Sequence, residues 1–399
     1  MASSSSTSSS KLLYPPAGFP WALVGAGLIL VAVEVLFRLA APTKVIPYSS
    51  NALEEHLAVA NYLSDVRPAD VGFIGSSMTR EGVAAPLVRE QLQSALGRRV
   101  YVANYGASAL VADEANAIVR YMLQHRTVSR LLIYEVGLHH FRPSISSRAT
   151  RVAIFWSLRD WFEDWAQSGK PATRVLPVVI RHEVGQWWRT LRYGRQLEHW
   201  AGEWLGLAKG SRVPMRGDHS GKWRSKANLA ANSTRRESLV RRWVGGHLRG
   251  GRYAKMDPEL VQCLEQTLQM CRDHHISLVL YEVPLSASVR AKVPPKVYEE
   301  FYALIDQLAS TYGVPFYRLA DLELQFGDEH FADATHMNRH GATLLTEALT
   351  EKVILPRLAS GKEGIQEERP GRDPREHPQN GRGYDGRDRG GARAAAGEL

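Results

Sequence analysis

The sequence predicts an α/β fold, a three-layer α/β/α sandwich with a mostly parallel five-stranded sheet. Three observations lead to this prediction. Short apolar segments have the length of buried strands, amphipathic stretches of helical length lie between them, and the two kinds of segment alternate along the chain. The chain has 399 residues and is 44% hydrophobic, so it has enough apolar side chains for a large core.

The individual elements follow from the length and periodicity of the apolar segments. The predicted strands cover residues 71–74, 100–103, 131–135, 277–283 and 314–317. The predicted helices cover residues 84–96, 111–125, 258–275, 296–312 and 339–358. This order places helices on both faces of a single sheet, which is interrupted once in the sequence by a long insertion.

The composition predicts six parts of the chain. They are a disordered amino terminus (1–16), a membrane-anchor helix (17–40), the first part of the α/β domain (45–150), a basic Trp-rich helical insertion (151–255), the second part of the α/β domain (256–359) and a disordered tail (360–399). Gly, Arg, Pro, Glu and Asp dominate the tail, which therefore has too few apolar side chains to order itself.

An uncharged apolar segment near the amino terminus predicts a single transmembrane helix. Residues 12–33 carry no charge, and the run approaches the length that spans a bilayer if Glu34 lies near the interface. A cleaved signal peptide is less favoured, because Lys11 alone would supply its charged region, and a buried core helix is the other alternative. The positive charges after the run, taken alone, weakly favour a cytoplasmic domain.

The insertion carries the positive charge of the chain, whose net charge is +9. Residues 151–255 contain 21 Lys and Arg against 8 Asp and Glu, together with nine of the ten tryptophans. Basic charge with aromatic side chains is also typical of single-stranded nucleic-acid binding. Helical spacing of Trp161 and Trp165 instead favours core or membrane-interface positions, so we expect no nucleic-acid partner.

A candidate nucleophile, base and orienting carboxylate come from two distant segments. Ser77 follows the first predicted strand, so its hydroxyl is expected at the carboxyl edge of the sheet. Asp333 and His336 lie three residues apart, just before the last predicted helix. These are the groups that acyl transfer needs. The alternative is structural: Ser77 as a turn residue and His336 as a cap of the last helix.

Further residues are candidates for oxyanion and substrate binding. The backbone N–H of Ser77 or its neighbour, together with that of Gly106, would donate to a developing oxyanion. Arg80 is a candidate for binding an anionic substrate group, with a solvated helical residue as the alternative. His139 and His140 suggest a metal, but no spaced carboxylate or cysteine completes a ligand set in the sequence, so we predict neither metal nor cofactor.

The order of these blocks resembles the SGNH, or GDSL-type, hydrolase superfamily. That family has a Gly-Asp-Ser block near its start, a Gly after the second strand, a Gly-x-Asn-Asp block after the third and an Asp-x-x-His block near its end. The resemblance spans about residues 68–140 and 275–355. The corresponding residues here are Gly75-Ser76-Ser77, Gly106, Gly137-Leu138-His139-His140 and Asp333-Ala334-Thr335-His336.

Two departures from the family pattern concern the site. Ser76 stands where the family has Asp, as in membrane-anchored members that resemble the teichoic-acid D-alanyl transfer proteins. His139 stands where the family has the Asn that donates to the oxyanion, so the resemblance implies that an imidazole N–H would replace that amide. Members of this branch are anchored by one amino-terminal helix, act outside the cytoplasm and modify cell-envelope polysaccharides with acyl groups.

The resemblance therefore implies a single-pass membrane protein with an extracytoplasmic catalytic domain. It implies a serine esterase or O-acyltransferase that acts on an acylated cell-envelope glycan or another acyl ester, with Ser77, His336 and Asp333 as the triad. The alternative function is a non-catalytic protein of the same fold, which binds a polysaccharide or a membrane-bound acyltransferase partner during envelope assembly.

Overall fold

A computed structural model describes most of the α/β part of the chain. The described residues are 21–40, 55–56, 59–60, 62–63, 68–141, 148–168, 176–187, 227–247 and 256–360. All of them belong to the first of two compact units, Met1–Glu363 and Gly364–Leu399. The expected disorder of residues 1–16 and nearly all of the expected disordered tail lie outside the described residues.

The sheet has five parallel strands, as the apolar segments predict. They are β1 (Val71–Ile74), β2 (Val102–Asn104), β3 (Leu131–Val136), β4 (Ser277–Glu282) and β5 (Phe316–Tyr317). Their order across the sheet is β2-β1-β3-β4-β5, with every pair parallel. The predicted bounds of β1 match those observed, and the other four strands begin or end within two residues of the prediction.

The register of the sheet brings the strand ends to one edge. Val71 in β1 lies opposite both Val102 and Leu131, and Leu131 lies opposite Ser277. Because all strands run the same way, the residues that follow β1, β2, β3 and β4 emerge at this carboxyl edge, where open α/β sheets bind ligands.

Helices connect the strands and cover both faces of the sheet. After the amino-terminal helix α1 (Trp21–Ala40), the helices before β4 are α2 (Ser77–Gly82), α3 (Ala85–Leu96), α4 (Ala112–Gln124), α5 (Arg148–Ala153), α6 (Leu158–Ser168), α7 (Leu176–Trp187), α8 (Ser233–His247) and α9 (Pro258–Asp273). Those after β4 are α10 (Ala287–Arg290), α11 (Pro295–Tyr312), α12 (Arg339–Ala348) and α13 (Leu355–Ala359).

The last predicted helix is continuous but irregular. A π-helical segment, Leu349–Ile354, joins α12 to α13. Pro356 follows at the start of α13, and since its nitrogen has no hydrogen to donate, the regular α pattern is disrupted here. The other four predicted helices lie within two residues of their expected ends.

Alternate residues of the strands face two separate cores. Phe73 and Ile133 belong to the cluster that α3, α12 and the π segment cover, whereas Ile74 and Tyr134 belong to the cluster on the opposite face, which α4, α9 and α11 cover. All four side chains are almost completely buried. Burying a large apolar side chain contributes about 1.5–3 kcal/mol, and covering both faces makes the three layers.

The amino-terminal helix α1 exposes apolar side chains, including Trp21, Leu28 and Ile29. Among the described residues, no helix has both the length and the apolar character needed to cross a membrane. The membrane anchor expected over residues 17–40 therefore stays a prediction.

The described part of the insertion is helical, as expected. It comprises α5 to α8, and the rings of Trp161 and Trp165 on α6 lie 5.7 Å apart, in agreement with their spacing of four residues. Trp161 is buried with Val179 of α7 in a small cluster, whereas Trp165 is 41% exposed. Residues 169–175, 188–226 and 248–255 of the insertion lie outside the described residues.

Candidate active site

The turn after β1 places Ser77 at the carboxyl edge of the sheet. Gly75 follows the strand, and Ser76 takes the extended conformation of an N-cap, with its hydroxyl accepting a hydrogen bond from the N–H of Met78 at 3.1 Å. Ser77 is the first residue of α2. This capping pattern, serine just before a short helix, turns the chain sharply and presents the Ser77 side chain outward.

The structure brings the three predicted catalytic residues together. Ser77 Oγ lies 2.8 Å from Nε2 of His336, and Nδ1 of the same ring lies 2.8 Å from Oδ2 of Asp333. Each distance is that of a hydrogen bond. The arrangement requires the proton of the neutral imidazole on Nδ1, facing the carboxylate, which leaves Nε2 free to accept the proton of the serine.

The loop that carries Asp333 and His336 is held by its own backbone. An antiparallel bridge pairs Phe331 with Met337, and the N–H of Ala332 donates to the carbonyl of His336 at 2.8 Å. Asp333 Oδ1 also accepts the backbone N–H of His336 at 2.8 Å. Local bonding therefore sets the short separation of carboxylate and imidazole before either meets Ser77.

The electrostatics of the pair fit a base and its orienting group. Burial alone would lower the pKa of His336, but its hydrogen bond to Asp333 and the nearby charge of Glu81 raise the pKa above 6.5 overall. Burial would raise the pKa of Asp333, but the hydrogen bond and charge of His336, together with the backbone N–H groups of Thr335 and His336, outweigh it and lower the pKa to about 2. Asp333 is therefore ionised at neutral pH, as a group that stabilises an imidazolium must be.

Glu135, near the end of β3, connects the turn that contains Ser76 and Ser77 to the sheet through hydrogen bonds. Its fully buried carboxylate accepts the hydroxyl of Ser76 at 2.7 Å and the backbone N–H of Thr79 at 2.8 Å. The hydroxyl of Thr79 also donates to it and lies 2.6 Å from the hydroxyl of Tyr281. Burial alone would raise the pKa of Glu135, but its neighbours, chiefly His139, lower it to about 2.

Two histidines share this buried carboxylate. Nε2 of His139 lies 2.9 Å from Oε1 of Glu135, without the alignment of a hydrogen bond, and Nε2 of His140 lies 3.8 Å from the same oxygen. Burial lowers the pKa of His140 to about 3, so its ring is neutral. One possible ligand atom from each of Glu135, His139 and His140 lies within 4.8 Å of the other two. Among the described residues, this is the group of side chains that could hold a metal ion.

The sequence indicates no carboxylate that could complete a ligand set with His139 and His140. The structure corrects this, because it places Glu135 beside both rings. Glu135 lies four residues before His139 and reaches it because β3 and the following 3₁₀ turn, Leu138–Phe141, fold back on each other. The Glu135 oxygens are already occupied by donors from the nucleophile turn. The same contact turns Nε2 of His139 toward Glu135, which counts against the oxyanion role that the resemblance implies.

Gly106 lies beside α2, but its N–H has another partner. It donates to Oδ1 of Asn104 at 2.9 Å, and the Asn104 amide in turn donates to the carbonyls of Thr79 and Val83, both at 3.0 Å. A Cβ atom at position 106 would lie 2.6 Å from the backbone nitrogen of Arg80. The structure gives Gly106 a packing role, and the predicted oxyanion role would require its bond to Asn104 to open.

Arg80 is neither a free anion-binding group nor a solvated residue, the two alternatives that the sequence leaves. It is 9% exposed, and its guanidinium pairs with Glu55, with Glu81 at 2.9 Å and with the hydroxyl of Ser108 at 3.0 Å. Because these partners occupy the side chain, the structure counts against direct substrate binding by Arg80 and gives it a structural ion pair instead.

An apolar cluster adjoins the triad. Met78, next to the nucleophile, and Ala334, between Asp333 and His336, belong to one cluster with Val283 and Leu285 from the segment after β4. Helix α8 of the insertion packs against it through Leu239, Val240, Trp243 and Val244. The insertion therefore contributes a wall to the site, which its position in the sequence does not reveal.

Sequence reasoning missed the site roles of Asn104 and Glu135. Glu135 has a signal in the sequence, since a charged residue near the end of a buried strand calls for a partner. Asn104 lies two residues before Gly106 at the end of β2. A buried amide at a strand end is the signal that could have identified it.

No protein-family model matches the chain, and no curated protein is significantly similar to it. Among solved structures it is similar to a lipase/acylhydrolase from Enterococcus faecalis, with 12% identity and a TM-score of 0.34 over 72% of this chain and 95% of that chain. It is also similar to a protein assigned as a platelet activating factor from Streptococcus pneumonia, with 13% identity and a TM-score of 0.36 over 82% and 98%. With values this low, these likenesses assign neither family nor activity.

Proposed function

We propose that the chain is a serine esterase or O-acyltransferase of SGNH type. Ser77 is the nucleophile, His336 the general base and Asp333 the group that orients the base. The observation that carries the proposal is the continuous series of hydrogen-bonding contacts from Ser77 Oγ through both ring nitrogens of His336 to Asp333. A serine whose proton can pass to a base held by a carboxylate is the arrangement that acyl transfer uses.

The first half-reaction follows from this geometry. Ser77 Oγ attacks the carbonyl carbon of an acyl ester while Nε2 of His336 takes the hydroxyl proton, and the ionised Asp333 stabilises the resulting imidazolium. The tetrahedral intermediate then loses its alcohol, which leaves with the proton from Nε2. One ester bond forms at Ser77 and one breaks in the donor, so the acyl group is conserved on the enzyme.

The second half-reaction repeats these steps with a different acceptor. His336 removes a proton from water in an esterase, or from an acceptor hydroxyl in a transferase, and the oxygen attacks the acyl-Ser77 ester. The serine recovers its proton from His336 when the ester bond breaks. The chemistry at the triad is the same in both, so the acceptor is chosen by access of water and of hydroxyl groups to the site.

The backbone N–H of Ser77 is the favoured oxyanion donor. Among the described residues it has no hydrogen-bond partner. The N–H groups of Ser76 and Thr79 donate to the Glu135 carboxylate, and that of Met78 donates to the Ser76 hydroxyl. A donor at the nucleophile itself lies beside the carbonyl oxygen that gains charge, which lowers the energy of the transition state.

For the substrate and location we propose an acylated cell-envelope glycan and an anchored, extracytoplasmic domain, with residues 17–40 as the anchor. This rests on the resemblance in sequence and on the apolar side chains that α1 exposes. Carbonate extraction of membranes tests it: the full chain should stay in the pellet, and a chain that begins at residue 45 should be released. Release of the full chain would contradict the anchor.

A second candidate function is supported by the state of the two groups that were predicted as the second oxyanion donor. The N–H of Gly106 donates to Asn104, and Nε2 of His139 faces the carboxylate of Glu135. Neither predicted second donor is therefore directed at an oxyanion beside Ser77. A protein of this fold that binds an acylated glycan or a membrane acyltransferase without reacting would tolerate that arrangement. The two functions differ in whether Ser77 reacts covalently.

Labelling of the full-length protein with a fluorophosphonate probe tests the proposal, because the probe captures only activated serines. The wild type should be labelled, and both Ser77→Ala and His336→Ala should abolish labelling. Ser76→Ala is the matched control: the neighbouring hydroxyl donates to Glu135, so its loss should lower stability and leave the labelled residue in place. A folded wild-type protein that does not label would favour the binding role.

A further inference from the structure

Two neighbouring imidazole rings and one carboxylate converge beside the turn that contains Ser76 and Ser77. His139 and His140 lie in the 3₁₀ turn after β3, and their ring centroids are 4.1 Å apart. Successive side chains of such a turn point about 120° apart. Nevertheless, Nε2 of His139 lies 2.9 Å and Nε2 of His140 lies 3.8 Å from the same oxygen, Oε1 of Glu135. The fold therefore directs three possible metal-ligand atoms into one small region.

The ring of His140 is the group in this cluster that needs an explanation. It is 1% exposed, and within the described residues neither of its nitrogens makes a well-formed hydrogen bond. An edge-to-face contact with Tyr134, at 5.9 Å between centroids, holds the ring in the core. Burying a polar group without a partner is unfavourable, and native structures rarely do so without an ordered water or ion. A protonated His139 beside Glu135 would explain that one contact, but it would leave both nitrogens of His140 unsatisfied.

The carboxylate of Glu135 keeps one acceptor position for a cation. Its Oε2 accepts the backbone N–H groups of Ser76 and Thr79, at 3.2 and 2.8 Å, and the hydroxyl of Thr79 as well. Within the described residues, its Oε1 accepts one hydrogen bond, from the Ser76 hydroxyl at 2.7 Å. Each oxygen of an ionised carboxylate has two acceptor positions. The second position on Oε1 is therefore left beside the two rings, and a cation there would add to the donors that Glu135 already has.

The donor set indicates the kind of cation. Two imidazole nitrogens and one carboxylate oxygen are typical of Zn²⁺ held by three protein ligands, with a water molecule in the fourth position. Mg²⁺ and Ca²⁺ prefer sites made of oxygen atoms. Ligand atoms around a tetrahedral Zn²⁺ lie roughly 3.3–3.6 Å apart, and the two distances from Oε1 of Glu135, 2.9 and 3.8 Å, fall on either side of this range. Small rotations of the two rings would therefore complete the site, and His139, whose side chain is 14% exposed, gives an ion access from solvent.

We propose that Glu135, His139 and His140 bind a Zn²⁺ ion. The ion joins the 3₁₀ turn after β3 to Glu135, and through the hydrogen bonds of Glu135 it supports the turn that carries Ser77. Its role is structural, because it neutralises a buried carboxylate and satisfies the buried ring of His140. The inference goes beyond the proposed function and does not depend on whether Ser77 reacts. It also gives His139 a role other than that of an oxyanion donor.

Metal binding by the full-length protein in detergent solution tests the inference. The protein is first freed of metal with a chelator, then titrated with Zn²⁺ by calorimetry and, separately, with Co²⁺ as a spectroscopic probe. The wild type should bind Zn²⁺ and gain thermal stability, since a ligand that binds only the folded state raises Tm. Co²⁺ should give the visible absorption of a tetrahedral site. His140→Ala should weaken Zn²⁺ binding at least about tenfold, because even the loss of a group that only orients a ligand weakens binding by about 10- to 100-fold.

His139→Ala makes the same test at a partly exposed ring, so binding can still be measured if His140→Ala does not fold. His340→Ala is the matched control, since His340 is exposed on α12 and stacks on His330 at 5.1 Å between centroids, as another pair of neighbouring histidines. It should leave Zn²⁺ binding unchanged. No binding by the folded wild type, binding that survives both His139→Ala and His140→Ala, or a loss confined to His340→Ala would overturn the inference. None of these results changes the fluorophosphonate test of Ser77, so the two proposals can fail separately.

Discussion

Ser77 Oγ and Nε2 of His336 lie 2.8 Å apart although 259 residues separate them in the chain. Ser77 follows β1 and His336 precedes α12, and α12 packs beside α2. Met337, the residue after His336, is buried in the core on one face of the sheet. Apolar packing next to His336 therefore supports its contact with Ser77.

The activity should depend on pH through His336. The imidazole must be neutral to accept the serine proton, and its pKa is raised above 6.5, so kcat/KM should rise with pH through a midpoint above that value. In Asp333→Asn the raising interaction is lost while burial still lowers the pKa, so the midpoint should move down. A pH–rate profile of both proteins measures the shift.

Asp333→Asn should also lower kcat. The amide that Asp333→Asn introduces does not hold the imidazole in the tautomer that leaves Nε2 free, and a loss of roughly 10³- to 10⁴-fold in kcat is the expected scale. An unchanged midpoint together with an unchanged kcat would show that Asp333 does not act on His336.

Asp333 and His336 also make the free energy of unfolding depend on pH, in opposite directions. The contribution of His336, whose pKa is raised, is complete below 6.5 and is lost as the pH rises through the folded-state pKa. The contribution of Asp333, whose pKa is lowered from 3.8 to about 2, is complete above 3.8 and is lost as the pH falls toward 2. The difference in the free energy of unfolding between the wild type and Asp333→Asn, measured with urea, should be smaller at pH 3 than at pH 6.

Glu135 should be required for stability and for the position of the nucleophile. Glu135→Ala removes the acceptor of Ser76 and Thr79, and each buried donor left without a partner costs about 1–3 kcal/mol. Glu135→Gln keeps one oxygen and should cost less. Urea denaturation measures the loss, with Glu265→Ala as the control because Glu265 bonds a tyrosine hydroxyl near the surface. Equal stability of Glu135→Ala and wild type would contradict this role.

Gly106→Ala should disturb α2 and slow the reaction of Ser77. The new methyl would lie 2.6 Å from the backbone nitrogen of Arg80, a contact that only a shift of the helix relieves. Gly82→Ala is the matched control, since its methyl would meet Leu345 and Met337 at an ordinary 3.6 Å. The rate of fluorophosphonate labelling should fall at least about tenfold in the first variant, because small misplacements of a catalytic group are costly, and stay unchanged in the second.

Arg80 should contribute to stability and not to substrate affinity. Its partner Glu55 is equally buried, each side chain being 11% exposed, so Arg80→Met leaves a buried carboxylate without its cation. A double-mutant cycle with Glu55→Gln should give a coupling energy of roughly 0.5–3 kcal/mol, while KM for a neutral ester stays unchanged in the folded variants. A raised KM without a loss of stability would restore the substrate-binding role.

Local sequence patterns determined most of the elements. The apolar segments gave all five strands, and the helical periodicity gave the five helices between and after them, because a strand or helix in a two-sided sandwich must present apolar side chains to a core. Ser77, Asp333 and His336 were identifiable for a related reason. Each lies just after a strand or just before a helix, at the edge where parallel sheets place reactive groups.

The tertiary structure alone decided what the other candidates do. Gly106 and His139 occupy the expected blocks, yet the N–H of Gly106 is bonded to Asn104 and the ring of His139 faces Glu135. Likewise, only folding shows that Arg80 pairs with Glu55 and that Trp243 of the insertion packs against the apolar cluster of Met78 and Ala334. Sequence position places a residue on an element, but the direction of its hydrogen bonds depends on partners far along the chain that packing brings near.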